Sequence, residues 1–464
     1  MRRYTAARAA VWLAVLLFAA AMTATGAGCA YFNTFYNAKR LYKEADETPR
    51  SRDGEVPRVA KEKYEESIRK CEMLITNYPK SKYVDDAILL MGKCFYEIEQ
   101  YDEAIIKITE LEENFPESKL NGEARLYVAK SYLGKKNYEQ AVGILLELAG
   151  DKSSGRLSDE ILFLLGTSLM KVDRDEEAVE YLAALARRYP RSPRRVNADL
   201  EAANLYAERG EFDKSLEIYE GLRDLRLPEK DKIRYLENKG RVLIAKGDYD
   251  KALDVFKELN ELPLEPTEKA NALVLTGQAF AGMDSVNTAI DVFKTVATSY
   301  PRSSYSAEAH FRLGIIYQES LDSLQVAQAQ YDKVGQQYAN SEFADEALKR
   351  SISISKYVRL QESIAAGGEE GNAAVQFDLA EIQLFQFENY QKALEGYREI
   401  IEEFADSDLA PRAAYAIAYI YDDRLNDTAK AREAYQYLLT RYPETQQAEF
   451  ARDSLARLDD RAQQ

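Results

Sequence analysis

The sequence predicts an all-α fold, a stack of about eleven antiparallel helical hairpins, on three observations. Small residues recur at Ser67, Ala104, Ala141, Ala178, Ser215, Ala252 and Ala289, each 37 positions after the last. Ala327, Ala393 and Ala431 follow at steps of 38, 66 and 38. Gly92, Ala129, Gly166, Ala203, Gly240 and Gly277 stand twelve positions before members of this series, and Pro79, Pro116, Pro190, Pro301 and Pro443 twelve after. Composition agrees, since a chain rich in alanine, leucine, glutamate and tyrosine with 12 prolines in 464 residues favours helix.

The first element is a leader. Arg2, Arg3 and Arg8 precede an apolar run from Ala9 to Met22, and small residues follow up to Cys29, the layout of a secretory signal. At ~1.5 Å per residue the run covers roughly 21 Å, short of the ~30 Å hydrocarbon core. A permanent span is disfavoured, unless Thr23–Ala30 extends it as an uncleaved anchor. Gly26, Ala27, Gly28 and Cys29 resemble the bacterial lipobox. That resemblance implies a signal peptide over residues 1–28, cleavage before Cys29 and a lipid on its thiol. Ala30, which is not Asp, then points to the outer membrane. The alternative is ordinary cleavage near Gly26 or Gly28, with Cys29 an incidental thiol.

From Tyr31 onward the hairpins follow, each with a helix A and a helix B. Gly92 on helix A would face Ala104 on helix B, letting the axes approach to ~8 Å. Larger residues four positions after the small one, among them Ile108, Leu145, Phe256, Phe293 and Tyr331, would fill the rest of the interface. Proline ends helix B because it lacks an N–H and restricts its predecessor. In "NYPKS", "NFPES", "RYPRS" and "RYPET" the aromatic closes the core while Ser or Thr caps the next helix. "KKNYEQA", "ERGEFDKS" and "AKGDYDKA" read as A–B turns with an aromatic plug. A single hairpin buries too little alone, so stability comes from stacking.

Two places break the rhythm. Residues 45–57, "ADETPRSRDGEVP", read as a long loop within the first hairpin; residues 361–372, "QESIAAGGEEGN", read as a flexible joint. The domain reading is therefore a signal peptide over 1–28, an array over 29–360, the joint over 361–372 and a final hairpin pair with a polar capping helix over 373–464.

This pattern resembles the tetratricopeptide repeat family, with its small residue in each helix, its aromatic and its proline. The resemblance implies a right-handed superhelical solenoid that binds proteins and carries no catalytic site. The lipobox, the "YPxS" junctions and the first helix "YFNTFYNAKRLYKEA" resemble bacterial envelope members: the lipoprotein that supports β-barrel assembly into the outer membrane, and the coordinator associated with the Tol-Pal system.

Residue chemistry points the same way. Net charge is −16, and removing residues 1–28 makes it −19, which repels phosphate backbones and excludes nucleic acid as a partner. His310 is the one histidine, which leaves no imidazole pair for a metal, and it reads as a core residue. No nucleophile elbow, phosphate loop or zinc spacing is present, so neither enzyme activity nor a cofactor is expected. Cys71 and Cys94, set on successive helices, read as unpaired buried thiols. Partner binding is expected along a groove formed by helix A residues: Lys93, Lys130, Asn204, Arg241 and Gln278, each just after the helix A small residue, with Tyr96 three residues past Lys93. These suit an extended peptide or a carboxylate. The expected role is a lipid-anchored periplasmic scaffold holding envelope proteins, in outer-membrane protein assembly. The alternative is a cell-wall or cell-division coordinator binding peptidoglycan synthases or Tol-Pal components.

Overall fold

The computed structural model describes residues 33–51, 54–150, 158–223, 225–365 and 372–462. Cys29 and the whole leader lie outside the described residues. The described residues are helical with no strand, and they divide into two compact units, Met1–Asn238 and Lys239–Gln464.

Unit 1 opens with α1 (residues 33–46) and α2 (Arg58–Asn77), joined by the long loop that the sequence predicts. Regular hairpins follow: α3 (Val84–Glu97) with α4 (Tyr101–Asn114), α5 (Asn121–Gly134) with α6 (Tyr138–Gly150), α7 (Ser158–Met170) with α8 (Asp175–Arg188), and α9 (Arg195–Glu208) with α10 (Phe212–Arg223). The unit boundary falls inside α11 (Glu229–Lys246). Unit 2 continues with α12 (Tyr249–Asn260), α13 (Pro266–Gly282), α14 (Val286–Ser299), α15 (Ser304–Ile315) and α16 (Leu324–Gln337). The long α17 (Ala344–Ala365), α18 (Asn372–Phe385), α19 (Tyr390–Glu403), α20 (Ala410–Tyr419), α21 (Thr428–Arg441) and α22 (Gln446–Ala462) complete it.

Helix A meets helix B at a glycine–bulky pair. A Cβ placed on Gly92 would lie 2.5 Å from Ile108 Cγ1; on Gly166, 2.6 Å from Leu182 Cγ; on Gly277, 2.7 Å from Phe293 Cε1. The bulky residue therefore occupies the space directly over the glycine, one step closer than above and below it. The small residues of helix B, from Ser67 to Ala431, are wholly buried. Tyr219, Tyr331, Tyr397, Tyr435, Phe256 and Phe293, all four positions later, are among the largest fully buried side chains.

The two 38-residue steps have a specific cause. Each coincides with a π turn at the end of a helix A, Ile316–Ser320 after α15 and Ile420–Arg424 after α20. A π turn accommodates one extra residue without ending the helix. The A–B turns share a second regularity, a left-handed residue five positions before each small residue from Ala104 onward: Glu99, Lys136, Asp173, Gly210, Gly247, Asp284, Asp322, Glu388 and Asn426.

Of the serines expected to cap the next helix A, Ser303 does so, accepting from Ser306 N at 3.1 Å. Ser118 and Ser192 sit two residues ahead of the N-caps Leu120 and Arg194 and brace the turn instead: Ser118 Oγ accepts from Leu120 N at 3.3 Å and Ser192 Oγ from Arg194 N at 3.1 Å. Each also donates back to the preceding helix A, Ser118 to Asp85 at 2.8 Å and Ser192 to Asp159 at 2.6 Å. The turn aromatics plug the stack, since a Cβ on Gly134 would lie 2.3 Å from Tyr101 Cζ and one on Gly282 2.2 Å from Tyr249 Cε1. Residues 361–365, expected to begin the joint, are the last turn of α17; residues 366–371 lie outside the described residues.

Candidate protein-interaction surface

The residue after the helix A small residue repeats one job. Lys93 on α3 reaches Glu123 in the first turn of α5, and Lys130 on α5 reaches Glu160 on α7 at 2.5 Å. In unit 2, Arg241 Nη2 donates to Asn271 Oδ1 on α13 at 2.9 Å, and Gln278 Nε2 to Glu308 Oε1 on α15 at 2.8 Å. Each partner lies 30 positions along the chain, so one polar rung joins each of these four helices A to the next. Asn204 departs from the series: its Oδ1 accepts from the buried Tyr219 hydroxyl at 3.0 Å, inside its own hairpin.

In unit 1 the rungs border an aromatic floor. Tyr127 has Lys130 Nζ 4.6 Å and Lys93 Nζ 5.1 Å from its ring centroid. Tyr96 meets Tyr127 edge-on at 5.5 Å and Tyr101 at 5.9 Å. Tyr42 hydrogen-bonds Tyr127, and burial pushes both phenols well above their ordinary range. Beside them Glu97 accepts from Arg50 Nη2 at 2.9 Å, the arginine arriving from the long first-hairpin loop. Burial outweighs that cation and holds the Glu97 carboxyl above the ordinary carboxylate range.

In unit 2, Arg241 and Gln278 line one cavity of about 710 Å³ with Tyr305, Arg312, Tyr338 and Phe343. Arg312 donates to Glu308 at 3.2 Å and lies 5.7 Å from the Phe343 ring centroid, while its buried Nε has no acceptor. Cationic donors beside aromatic walls suit acidic or carbonyl-rich segments of a partner.

Other candidates fall to structure. His310 is 8% exposed, its Nδ1 2.9 Å from Gln330 Oε1. Cys71 and Cys94 are buried and unpaired, as expected. Among the described residues no cluster of His, Cys, Asp and Glu could hold a metal, and no helix is long and apolar enough to cross a membrane. Sequence reasoning missed Glu97, Arg50, Tyr127, Glu123, Glu160 and Arg312. The 30-residue spacing from Lys93 to Glu123 and from Lys130 to Glu160 was the available signal.

Family profiles agree with this architecture. Tetratricopeptide repeat profiles match residues 163–231 and 200–266, and also 86–118 and 412–445. No curated protein matches the chain. Among solved structures, Naa15/Naa10 bound to HypK-THB is similar at 16% identity and a TM-score of 0.38, covering 93% of this chain and 66% of that one. The C-terminal part of a TPR repeat-containing protein from Cytophaga hutchinsonii gives 17% and 0.44, covering 55% of this chain and 98% of that one. A tetratricopeptide repeat protein from Parabacteroides merdae gives 16% and 0.36, covering 68% and 99%. With the hairpin geometry, the profile matches establish that this chain carries tetratricopeptide repeats.

Proposed function

We propose that the protein is a scaffold of the bacterial cell envelope, tethered by a lipid on Cys29 to the periplasmic face of the outer membrane, where it holds partner proteins during outer-membrane protein assembly. Tetratricopeptide repeats act as protein-interaction scaffolds, and the repeated helix A register is the observation that carries the reading. Lys93, Tyr96 and Lys130 stand half-buried along one face, already ordered, so a partner segment binds without fixing them anew. A partner carboxylate would replace Glu123 or Glu160 on the lysines, and an apolar side chain would lie on Tyr96. The tether rests on the lipobox-like residues before Cys29; one triacylated cysteine supplies several buried acyl chains at ~0.8 kcal/mol per methylene.

A photo-crosslinking amino acid at Tyr96 in intact cells tests the scaffold. Adducts with envelope proteins involved in β-barrel assembly are expected, and cell-wall synthases or Tol-Pal components in their place would move the role to division. No adduct above a control placed at exposed Met73 would refute binding on this face. Fatty-acid labelling with mass spectrometry of the mature N-terminus tests the tether separately, because label persisting in Cys29→Ala excludes that thiol.

A further inference from the structure

Arg187, Arg188, Arg191, Arg194 and Arg195 crowd one short stretch of a chain whose net charge is −16. Two of them have acids: Asp159 and Glu160 lie 3.3 Å from Arg194, and Asp199 lies 3.3 Å from Arg195. Arg187, Arg188 and Arg191 are exposed, and among the described residues none of them meets an acid. A cation in the last turn of a helix complements its dipole, but this place in the repeat does not call for a pair of them. Thr76-Asn77, Glu113-Asn114 and Thr298-Ser299 stand at the same distance before Pro79, Pro116 and Pro301, and a single cation, Arg441, stands there before Pro443. The Arg187-Arg188 pair is therefore no requirement of hairpin packing.

Both arginines line a cavity of about 520 Å³ between α6 and α8, two successive helices B. Leu146, Leu162, Tyr181 and Ala184 supply apolar wall, and Glu180 is the one acid against two guanidinium groups. Leu146, Tyr181 and Ala184 are only half-buried, so this lining can be reached from outside. Accessible guanidinium groups beside an apolar wall fit a carboxylate that has an apolar side chain next to it. An anionic membrane surface fits less well. Being extended, it meets the field of the whole acidic chain, whereas one carboxylate within ~10 Å of Arg187 and Arg188 responds to them first.

We propose that this cavity takes an acidic segment of a protein partner, its carboxylate shared between Arg187 and Arg188 and its neighbouring apolar side chain lying against Leu146, Tyr181 and Ala184. None of the helix A rung residues lines the cavity, so the site does not rest on the reading of the helix A face.

Saturation-transfer NMR on the full chain, with N-acetyl-glutamyl-leucinamide as probe and its glutaminyl analogue as neutral control, tests this. Saturable transfer to the leucine methyls of the acidic probe is expected, with affinity about tenfold lower for the neutral one. Arg187→Gln and Arg188→Gln should each weaken binding about fivefold, and Ala184→Met should weaken it by filling the cavity without changing charge. Arg191→Gln removes the same charge outside the lining and should change nothing. The three arginine variants, all at exposed positions, decide alone if Ala184→Met does not fold. No transfer from the wild-type chain, equal affinity for the neutral probe, unchanged binding in both Arg187→Gln and Arg188→Gln, or equal weakening by Arg191→Gln would each overturn the proposal. So would binding to phosphatidylglycerol vesicles that Arg187→Gln abolishes while the dipeptide shows no transfer, which would make this a lipid site.

Discussion

Phe256 lies where a side chain on Gly240 would have to be, with Cε1 2.1 Å from the position of an added Cβ. Phe256 is wholly buried on α12, so its ring cannot swing away. Ala normally exceeds Gly in a helix by ~1 kcal/mol, but overpacking a filled core costs ~1–3 kcal/mol. Gly240→Ala should therefore destabilise, while Gly335→Ala on α16, where an added Cβ meets nothing within 4 Å, should stabilise by up to ~1 kcal/mol. Denaturant midpoints moving in the same direction for both variants would refute the assignment.

The left-handed turn residues give a second contrast. Lys136 holds φ at 58° and Gly247 at 87° in equivalent A–B turns. A left-handed conformation costs an ordinary L-residue ~1–2 kcal/mol, which glycine avoids. Lys136 is exposed, so Lys136→Gly should gain up to ~1 kcal/mol despite the larger unfolded-state entropy of glycine. Gly247→Ala, with nothing within 4 Å of the new Cβ, should lose ~1 kcal/mol from backbone strain alone. Thermal unfolding of both variants checks the pair.

These contacts also mark what was legible in the chain. Spacing from Gly92 to Ala104 located the hairpin interface, because a helix converts sequence distance directly into a facing position, but that Ile108 and Phe293 sit directly over Gly92 and Gly277 emerged only from the structure. The 38-residue steps were visible as numbers, but only the backbone shows that a π turn absorbs the extra residue. Glycine at 210 and 247 hinted at left-handed turns; Glu99 and Lys136 did not, since the turn imposes its geometry on whatever residue occupies it. The rungs escaped because Glu123 and Glu160 look like any acid in a helical first turn until stacking brings them to Lys93 and Lys130. Asn204 shared their register yet faces Tyr219, whose hydroxyl needed an acceptor.

His310, as the one histidine, makes a clean pH probe. Burial lowers its pKa below the ordinary imidazole value, Lys333 adds to that lowering, and the bond to Gln330 opposes it. Gln330 Oε1 accepts, so the neutral ring carries its proton on Nδ1. Above pH ~6.5 both folded and unfolded states hold the ring neutral, and the group contributes no pH dependence. As pH falls below ~6.5 the unfolded chain takes the proton first, so stability drops until the folded-state pKa is passed. Comparing the wild type with His310→Gln between pH ~7.5 and ~5.5 should show this slope only in the wild type. Parallel curves would mean that the imidazole is not desolvated.

The rung between α5 and α7 should respond asymmetrically to removal of its two ends. Lys130 and Glu160 have side chains 17% and 20% exposed, so their attraction is less screened than that of a surface pair. Glu160 also meets Arg194 at 3.3 Å, while Arg194 has a second carboxylate, Asp159, at the same distance. Losing Lys130 thus leaves Glu160 with a cation, and Lys130→Met should cost under ~1 kcal/mol, since the methionine keeps most of the packing on Tyr127. Losing the Glu160 charge strands Lys130 half-buried over Tyr127, with Arg194 still served by Asp159, so Glu160→Gln should cost ~1–2 kcal/mol. A double-mutant cycle of these substitutions should return a coupling of ~0.5–1 kcal/mol that shrinks in high salt. A coupling near zero would mean that Lys130 is held by the Tyr127 ring alone, leaving Glu160 as the acid that Arg194 secures.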